Sequence, residues 1–240
     1  MGISVVLLAY KEEENLKVLL PQIIEQVEKC EKDYEIIVVD TARPLDNTHA
    51  VCKEYKARYI NQKEPGFGGA FRTGIRFAKK DKFLIMDSDG SHPADRIPAI
   101  YEMYMTGDYD VVIGSRYCPG GQSNDAKSSQ IMSHMLNFAF RTCLGLKGND
   151  LSTDYRMYST KELKKVELKC TNYDVLEEVL LQLKLNRPDK KLRIGEVPIS
   201  FQKRMYGESK RQLVKFIISY IGTLFRLIWM RITYSFKKKK

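Results

Sequence analysis

The chain has 240 residues, 43% of them hydrophobic and 29% charged, with a formal net charge of +10. This length supports one large domain with a sizeable core, and the apolar content argues against wholesale disorder. The five cysteines are odd in number, widely spaced and without a C-x-x-C pair, which argues against a disulfide framework or a zinc site and favours a reducing, cytosolic setting.

Residues 3–40 are predicted to form a strand, a helix and a second strand. The apolar run Ile3–Ala9 predicts a strand buried on both faces of a parallel sheet, and its flanks lack the features of a signal peptide. We predict that Asn15 caps a helix extending to about Cys30, with a kink or an early break at Pro21. The next strand, Tyr34–Asp40, ends in an acid.

The alternation continues through the middle of the chain. A short helix at about Asn47–Tyr55 precedes a strand near Ala57–Asn61. Residues Pro65–Gly69 are predicted to form a flexible loop, followed by a helix to about Lys80. A fourth strand is predicted at Lys82–Asp87.

A helix at Ala94–Met105 and a strand at Tyr109–Gly114 follow, and the Gly- and Ser-rich residues 115–130 are predicted to form a mobile loop over the site. The pattern predicts an α/β fold with a mostly parallel sheet flanked by helices. Ligands of such sheets bind beyond the carboxyl ends of the strands, near the point where the strand order reverses. Three segments fall at those ends: Tyr10–Glu12, Asp40 and Asp87–Asp89.

The segment Met86–Pro93 carries the strongest chemical signal. Asp87 and Asp89 could hold Mg²⁺ or Mn²⁺, since hard cations take oxygen ligands and Mg²⁺ is commonly bound through one or two carboxylates plus substrate phosphates. The sequence Asp-Ser-Asp-Gly also suits a surface turn, and in isolation the tripeptide favours that alternative. Its position at a strand end instead favours a metal–diphosphate site, as in a transferase that uses a nucleotide sugar.

Basic residues that could contact phosphates follow later in the chain. Arg116 comes directly after a predicted strand, and Arg204 and Lys210 lie close together near the end of the body. Arginine offers forked donors and lysine a point charge. Each residue alone is more simply a solvated surface charge, but three of them beside an Asp-x-Asp pair predict a diphosphate site.

Other patterns are weaker. Residues 66–74 resemble a dinucleotide-binding fingerprint, but Phe71 occupies the third glycine position, so an oxidoreductase is the less favoured alternative. No Ser/His/Asp or Cys/His arrangement stands out, and the three histidines show no metal-ligand spacing: His49, His92 and His134.

The excess positive charge lies entirely in the tail. Residues 203–240 contain eleven of the 40 basic residues and one of the 30 acidic residues, so the rest of the chain is neutral. A nucleic-acid binder would more often spread basic residues over a folded face. A neutral body with a basic, apolar tail instead predicts attachment to an anionic membrane surface.

The helix predicted at Leu213–Phe236 is long enough to span a bilayer. Arg226 would then lie near the centre, at a cost of about 2.5–3.5 kcal/mol. A basic amphipathic helix at the interface avoids that cost and is favoured, with a core or oligomer-contact helix as the alternative. Its headgroup-zone residues would be Trp229, Tyr234 and Lys237–Lys240.

These motifs resemble those of a known family. The segments that carry the resemblance are Ala9–Leu16, Met86–Pro93, Gly114–Tyr117 and residues 197–210. From Ser4 to about Lys210 the chain resembles the inverting family-two glycosyltransferases, and within them the polyprenyl-phosphate sugar synthases such as dolichyl-phosphate mannose synthase. The resemblance implies a GT-A fold over residues 1–210, with residues 211–240 as a separate membrane-interface helix and Lys tail.

The resemblance also implies roles for individual residues. The nucleoside pocket would be lined by Tyr10, Glu12, Val39 and Asp40. The metal would be bound by Asp87 and Asp89, with Ser88 and Ser91 beside it. The donor diphosphate and the acceptor phosphate would meet Arg116, Arg204 and Lys210. Three further family positions are Asp150, Arg156 and Glu178. The chain departs from the family at Thr41, which replaces an aspartate, at Leu8, which replaces a proline, and in Gln130–Asn137, which lacks an expected arginine.

The activity that the resemblance implies is metal-assisted transfer of a hexose, mannose or glucose, from a GDP- or UDP-sugar to a polyprenyl (dolichyl) phosphate, with inversion. A phosphate acceptor, with a second pKa of about 6, needs little help from a general base. We therefore expect a cytosolic protein, peripheral at the cytoplasmic face of a membrane, with no nucleic-acid partner. A homo-oligomer or a membrane-protein partner stays open, as do a glycan or protein acceptor and a non-catalytic nucleotide-sugar-binding relic.

Overall fold

The computed structural model of the chain describes residues 2–187, 189, 191–206 and 213–237 and, in the last range, the side chains of residues 220 and 222–234. The strands are β1 (Ile3–Leu8), β2 (Tyr34–Asp40), β3 (Arg58–Asn61), β4 (Lys82–Asp87), β5 (Val111–Ser115), β6 (Gln122–Ser123), β7 (Arg156–Ser159), β8 (Ile194–Pro198) and β9 (Ser200–Phe201). The helices are α1 (Glu13–Cys30), α2 (Thr48–Glu54), α3 (Gly66–Phe77), α4 (Ile97–Met105), α5 (Lys127–Leu144), α6 (Thr160–Leu163), α7 (Val175–Asn186) and α8 (Leu213–Lys237). A 3-10 turn, Ala94–Arg96, leads into α4.

Seven strands form one sheet in the order β3-β2-β1-β4-β7-β5-β8. The neighbouring pairs are parallel except around β7, which runs antiparallel to both β4 and β5. This confirms the predicted α/β fold with a mostly parallel sheet. The chain moves outward from β1 to β3 and then returns to β4 on the other side of β1. The strand order therefore reverses between β1 and β4, where open α/β sheets bind their ligands.

The central strands are buried on both faces. Along β1, Val6 belongs to one apolar cluster, whereas Val5 and Leu7 belong to another, because successive side chains of a strand point to opposite faces. Helices α1, α2 and α4 cover the Val5 face, and α3, α5, α7 and α8 cover the Val6 face. Each fully buried aliphatic side chain contributes about 1.5–3 kcal/mol. This packing fixes where the strands end and hence where the polar residues after them lie.

Asn15 does not cap the first helix, so that prediction was wrong. Helix α1 begins at Glu13, and Asn15 lies inside its first turn with 2% of its surface exposed. The Asn15 amide donates to the carboxylate of Glu12, and its oxygen accepts the backbone N–H of Tyr206 at 3.0 Å. Asn15 thus connects the start of α1 to a segment almost at the other end of the chain.

Pro21 does not end α1 either, because the helix continues to Cys30. A proline inside a helix removes one backbone hydrogen bond and crowds the preceding turn. On both sides of it, Leu20 and Ile23 are fully buried against the sheet. We attribute the unbroken helix to this packing, which outweighs the local cost of the proline.

The glycine-rich segment Pro65–Gly69 is not a flexible loop, because α3 begins at Gly66. A side chain at Gly68 would place its Cβ 2.1 Å from the carbonyl oxygen of Cys170, and one at Gly69 would come 2.2 Å from the carbonyl oxygen of Glu64. These glycines therefore allow close backbone packing around the start of the helix, a function that local sequence cannot distinguish from flexibility.

Residues 115–130 are more ordered than the mobile loop that was predicted. They contain β6, which pairs with β9, and the first turn of α5. Strands β6 and β9 are two residues long each, too short for periodicity to reveal them. Their pairing brings residues 200–206 back toward the carboxyl end of β4.

Helix α8 packs against α5 and α7 through Tyr220, Thr223 and Leu227, which are at most 6% exposed. Its opposite face exposes Phe225 and Trp229 by 70% and 69%. Among the residues described, no helix combines the length and the apolarity needed to cross a bilayer. The predicted domain boundary between residues 210 and 211 falls outside the described ranges.

Candidate active site

The Asp87–Asp89 turn begins where β4 ends. Asp89 Oδ1 accepts the backbone N–H of Ser91 at 3.0 Å, and the Ser91 hydroxyl donates to Asp87 Oδ2 at 3.3 Å. Gly90 has φ of +80°, a backbone conformation that residues other than glycine adopt only with strain. Ser88 donates to the carbonyl of Leu8 at 2.7 Å and so fastens the turn to the end of β1. The turn therefore presents both carboxylates at the point where the strand order reverses.

His92 lies beneath this turn and is 1% exposed. Its Nδ1 accepts the backbone N–H of Asp87 at 3.0 Å, so the ring proton is on Nε2, which lies 3.2 Å from the Thr153 hydroxyl. The ring stacks on Tyr155, with centroids 4.9 Å apart, and burial lowers the pKa of His92. A neutral histidine with both nitrogens engaged supports the turn and is not available as a general base.

Asp154 faces the turn from the segment just before β7. Burial and the nearby Asp87 carboxylate raise the pKa of Asp154 well above its ordinary value. Asp87, His92 and Asp154 each offer one ligand atom within 4.8 Å of the others. Asp154 is not among the predicted site residues, because nothing local in the sequence indicates that the strand after it pairs with β4.

Arg204 approaches the turn from the last part of the body. Its Nη2 lies 2.9 Å from Glu12 Oε1 and 3.8 Å from Asp89 Oδ2. The backbone N–H of Met205 donates to the carbonyl of Asp89 at 2.9 Å. Burial raises the pKa of Glu12 to about 7, although Asn15 and Arg204 act in the opposite direction. The structure thus brings Arg204, Glu12 and Asp89 together, whereas Lys210 lies outside the described residues.

Arg116 forms a buried pair with Asp150. Its Nε and Nη2 donate to the two Asp150 oxygens at 2.7 and 2.8 Å, and its side chain is 8% exposed. Burial alone would raise the pKa of Asp150, but the Arg116 guanidinium more than offsets it and the pKa is lowered. Nη1 lies 3.6 Å from Asp125. The forked donors that could bind a phosphate are therefore directed to a carboxylate of the protein in this structure.

The three further positions implied by the resemblance, Asp150, Arg156 and Glu178, all form contacts within the protein. Asp150 holds Arg116, as described above. Arg156 is fully buried and donates to the carbonyls of Leu176 and Leu151 at 2.7 and 2.6 Å. Glu178 accepts the backbone N–H groups of Lys169 and Cys170 at 2.9 and 2.8 Å. The contacts of Arg156 and Glu178 connect α7 to β7 and to the segment just before α7.

The residues predicted to line the nucleoside pocket lie near the carboxyl ends of β1 and β2. Tyr10 is 49% exposed at the end of β1, and Val39 is fully buried within β2. Asp40 Oδ1 accepts the backbone N–H of Thr41, and Oδ2 accepts the hydroxyl of Tyr59, both at 2.7 Å. Asp40 is therefore held in place by the chain itself. The strand ends bring this group to the same edge of the sheet as the Asp87–Asp89 turn.

The donor set of the turn fits a hard divalent cation. Asp87, Asp89 and Ser91 supply carboxylate and hydroxyl oxygens, which Mg²⁺ and Mn²⁺ prefer to nitrogen or sulfur. The five cysteines are all free in the structure.

Comparison with known proteins is consistent with this geometry. Residues 4–166 match the sequence profile of Glycosyl transferase family 2. The chain is 31% identical over 237 residues to a dolichol-phosphate mannosyltransferase of Pyrococcus furiosus, covering 95% of this chain and 64% of the relative. It is 30% identical over 224 residues to an undecaprenyl-phosphate mannosyltransferase of Micrococcus luteus, covering 88% and 87%.

A solved structure shares the fold. Glucosyl-3-phosphoglycerate synthase of Mycobacterium tuberculosis, in complex with Mn²⁺, UDP and phosphoglyceric acid, aligns with a TM-score of 0.73 and 20% identity. The alignment covers 95% of this chain and 78% of that one. At this identity the likeness establishes the fold, which is the GT-A arrangement expected from the sequence. The chain spans less than two thirds of the length of the Pyrococcus furiosus relative.

Proposed function

Because the chain belongs to glycosyl transferase family 2, we propose that it is a metal-dependent inverting enzyme that moves a hexose from a nucleotide-diphosphate sugar to a polyprenyl phosphate. The observation that carries the proposal is the Asp87–Asp89 turn at the reversal point of the sheet, with Arg204 3.8 Å from Asp89. The relatives at 30% and 31% identity are mannosyltransferases of lipid phosphates, which favours mannose and a lipid-phosphate acceptor.

The site residues have distinct roles in this proposal. Asp87, Asp89 and Ser91 would hold Mg²⁺ or Mn²⁺, which neutralises charge on the leaving diphosphate. Arg204 adds a fixed positive charge beside the carboxylates, and its ion pair with Glu12 orients it. Tyr10 and Asp40 lie at the strand ends where the nucleoside would bind.

The state of His92 excludes that histidine as the base that a hydroxyl acceptor would require. A sugar hydroxyl needs a base to remove its proton, whereas a phosphate monoester, with a second pKa of about 6, is largely ionised at neutral pH. His92 is buried and neutral, and its ring nitrogens face the Asp87 N–H and Thr153. An acceptor that supplies its own anionic oxygen agrees with this arrangement.

The function is tested by a matrix of donors and acceptors. The full chain is incubated with Mn²⁺, with GDP-mannose or UDP-glucose, and with a short polyprenyl phosphate, a soluble sugar or a peptide. We expect label to reach only the lipid phosphate and to disappear when EDTA removes the metal. Label on a soluble or peptide acceptor alone contradicts the lipid acceptor, and failure even to hydrolyse any donor indicates a non-catalytic relic.

We further propose that the enzyme works at a membrane surface, through the exposed face of α8. Phe225, Trp229 and Ile232 recur at helical spacing and are 70%, 69% and 47% exposed. Residues 203–240 hold the chain's entire basic excess, and seven of their eleven basic residues lie within residues 213–240. An apolar helix face bordered by basic residues suits the interface of an anionic bilayer.

Replacing Phe225 and Trp229 together with alanine is expected to weaken binding to anionic phospholipid vesicles by at least about tenfold, because each side chain contributes about 1.5–3 kcal/mol when fully buried. Co-sedimentation with vesicles measures the change. The control is Leu45→Ala, which removes a 43% exposed apolar side chain away from α8. Equal vesicle binding by the double variant and by wild type contradicts the membrane role of this face.

A further inference from the structure

The antiparallel strand β7 brings a third acid to the Asp87–Asp89 turn. Within the pairing of β4 and β7, Ile85 lies opposite Arg156. Continuing this register by two residues places Asp154 opposite Asp87, with both side chains on the same face of the sheet. Like charges directly opposite each other on paired strands are destabilising. This juxtaposition is tolerated only with a proton or a cation between the two carboxylates.

Among the residues described, no lysine or arginine forms a direct ion pair with Asp154. Its side chain is 7% exposed, and its buried Oδ2 has no hydrogen-bond partner in the described part of the chain. The adjacent Arg156 directs its guanidinium to Tyr158 and to the carbonyls of Leu151 and Leu176. A buried polar atom without a partner costs on the order of 1–3 kcal/mol, and an ionised one costs more. Such an atom beside a second carboxylate indicates that a cation belongs there.

The geometry identifies which atoms would receive the cation. His92 Nδ1 lies 3.7 Å from both Asp87 Oδ2 and Asp154 Oδ1. That nitrogen already accepts the backbone N–H of Asp87, so the histidine is not a ligand. With bonds of about 2.0–2.1 Å, oxygen ligands on opposite sides of one Mg²⁺ lie about 4 Å apart. The ligand atoms that Asp87 and Asp154 offer lie within 4.8 Å of each other, near enough for one ion to contact both.

We propose that Asp154 is a further ligand of the divalent cation, so that two carboxylates bind one ion: Asp87 at the end of β4 and Asp154 just before β7. The inference rests on the proposed metal-dependent function and extends its cation site beyond the Asp87–Asp89 turn. It assigns His92 the role of holding the Asp87 backbone beside the ion. It also predicts that the chain binds Mn²⁺ measurably in the absence of any nucleotide.

The test is titration of the full chain with Mn²⁺ alone, and with Mn²⁺ plus GDP or UDP, by following free Mn²⁺ with electron paramagnetic resonance. Asp154→Asn keeps the shape of the side chain and removes its charge. We expect it to weaken Mn²⁺ binding at least about tenfold. The matched control is Asp95→Asn, whose side chain is 63% exposed on the 3-10 turn, and which should bind Mn²⁺ like wild type.

A second variant keeps the proposal testable if Asp154→Asn folds poorly. Asp154→Cys replaces a hard oxygen ligand with a soft sulfur ligand, so the ratio of Cd²⁺ affinity to Mn²⁺ affinity should rise above that of wild type. A merely structural Asp154 would not change this ratio. Unchanged Mn²⁺ binding by Asp154→Asn, or an unchanged ratio in Asp154→Cys, overturns the assignment and leaves the Asp87–Asp89 site intact. Wild type that binds no Mn²⁺ with or without nucleotide instead contradicts the proposed metal-dependent function.

Discussion

Replacing Asp89 with asparagine is expected to lower the rate of sugar transfer by about a thousandfold. The cation is expected to supply several kcal/mol of stabilisation to the charge that develops on the leaving diphosphate, and about 4 kcal/mol corresponds to a factor of a thousand. Asp89 also faces Arg204 at 3.8 Å, so its loss disturbs the charge balance around the diphosphate. Initial rates with saturating donor and Mn²⁺ measure the effect.

The control for this experiment is Asp95→Asn, which removes an equivalent charge six residues along the chain from a side chain that is 63% exposed. Its rate should match that of wild type. Circular dichroism and thermal unfolding confirm that both variants fold. An Asp89→Asn variant that retains a rate within a few fold of wild type removes Asp89 from the metal–diphosphate site.

The second large effect is on stability. Replacing Asp150 with alanine removes the carboxylate that pairs most closely with the buried Arg116. The hydroxyls of Ser133 and Ser152 then remain near Nη2, at 3.3 and 3.0 Å, and the partly exposed Asp125 remains 3.6 Å from Nη1. Breaking a buried ion pair by removing one partner costs about 3–5 kcal/mol. We expect the free energy of unfolding to fall by that amount, as measured by urea denaturation at pH 7.

Two controls separate the buried charge from other effects. Glu25→Ala removes an exposed pair with Lys29 and should change the free energy of unfolding by less than about 1 kcal/mol. The double variant Arg116→Met with Asp150→Leu removes both charges and should be more stable than Asp150→Ala alone. An Asp150→Ala variant as stable as Glu25→Ala would show that the Arg116–Asp150 pair does not stabilise the fold.

The parts of the site that follow from the sequence are those fixed by local pattern. An apolar run that ends in Asp87 predicts both the strand and the position of the acid, since strands of a parallel sheet end at one edge. The same logic locates Asp40 at the end of β2. In both cases the strand that carries the residue also determines where it lies, and the structure agrees.

The remaining parts depend on contacts between distant segments. Asp154 meets Asp87 only because β7 enters the sheet antiparallel between β4 and β5, and no local pattern specifies that pairing. Arg204 reaches Glu12 because the two-residue strands β6 and β9 turn residues 200–206 back over the site. The partner of Arg116 could not be chosen from sequence either, because the acid nearer along the chain, Asp125, is not the one it pairs with most closely, and nothing local indicates Asp150, 34 residues away.

The central claim is that the phosphate oxygen of a lipid attacks C1 of a sugar held at the Asp87–Asp89 turn. The most direct measurement is the anomeric configuration of the product, determined by NMR on glycolipid extracted from a reaction of the full chain with a nucleotide sugar, Mn²⁺ and a short polyprenyl phosphate. Direct displacement predicts a glycosyl phosphate whose configuration at C1 is opposite to that of the donor. A product with retained configuration, or sugar attached anywhere other than the lipid phosphate, would contradict it.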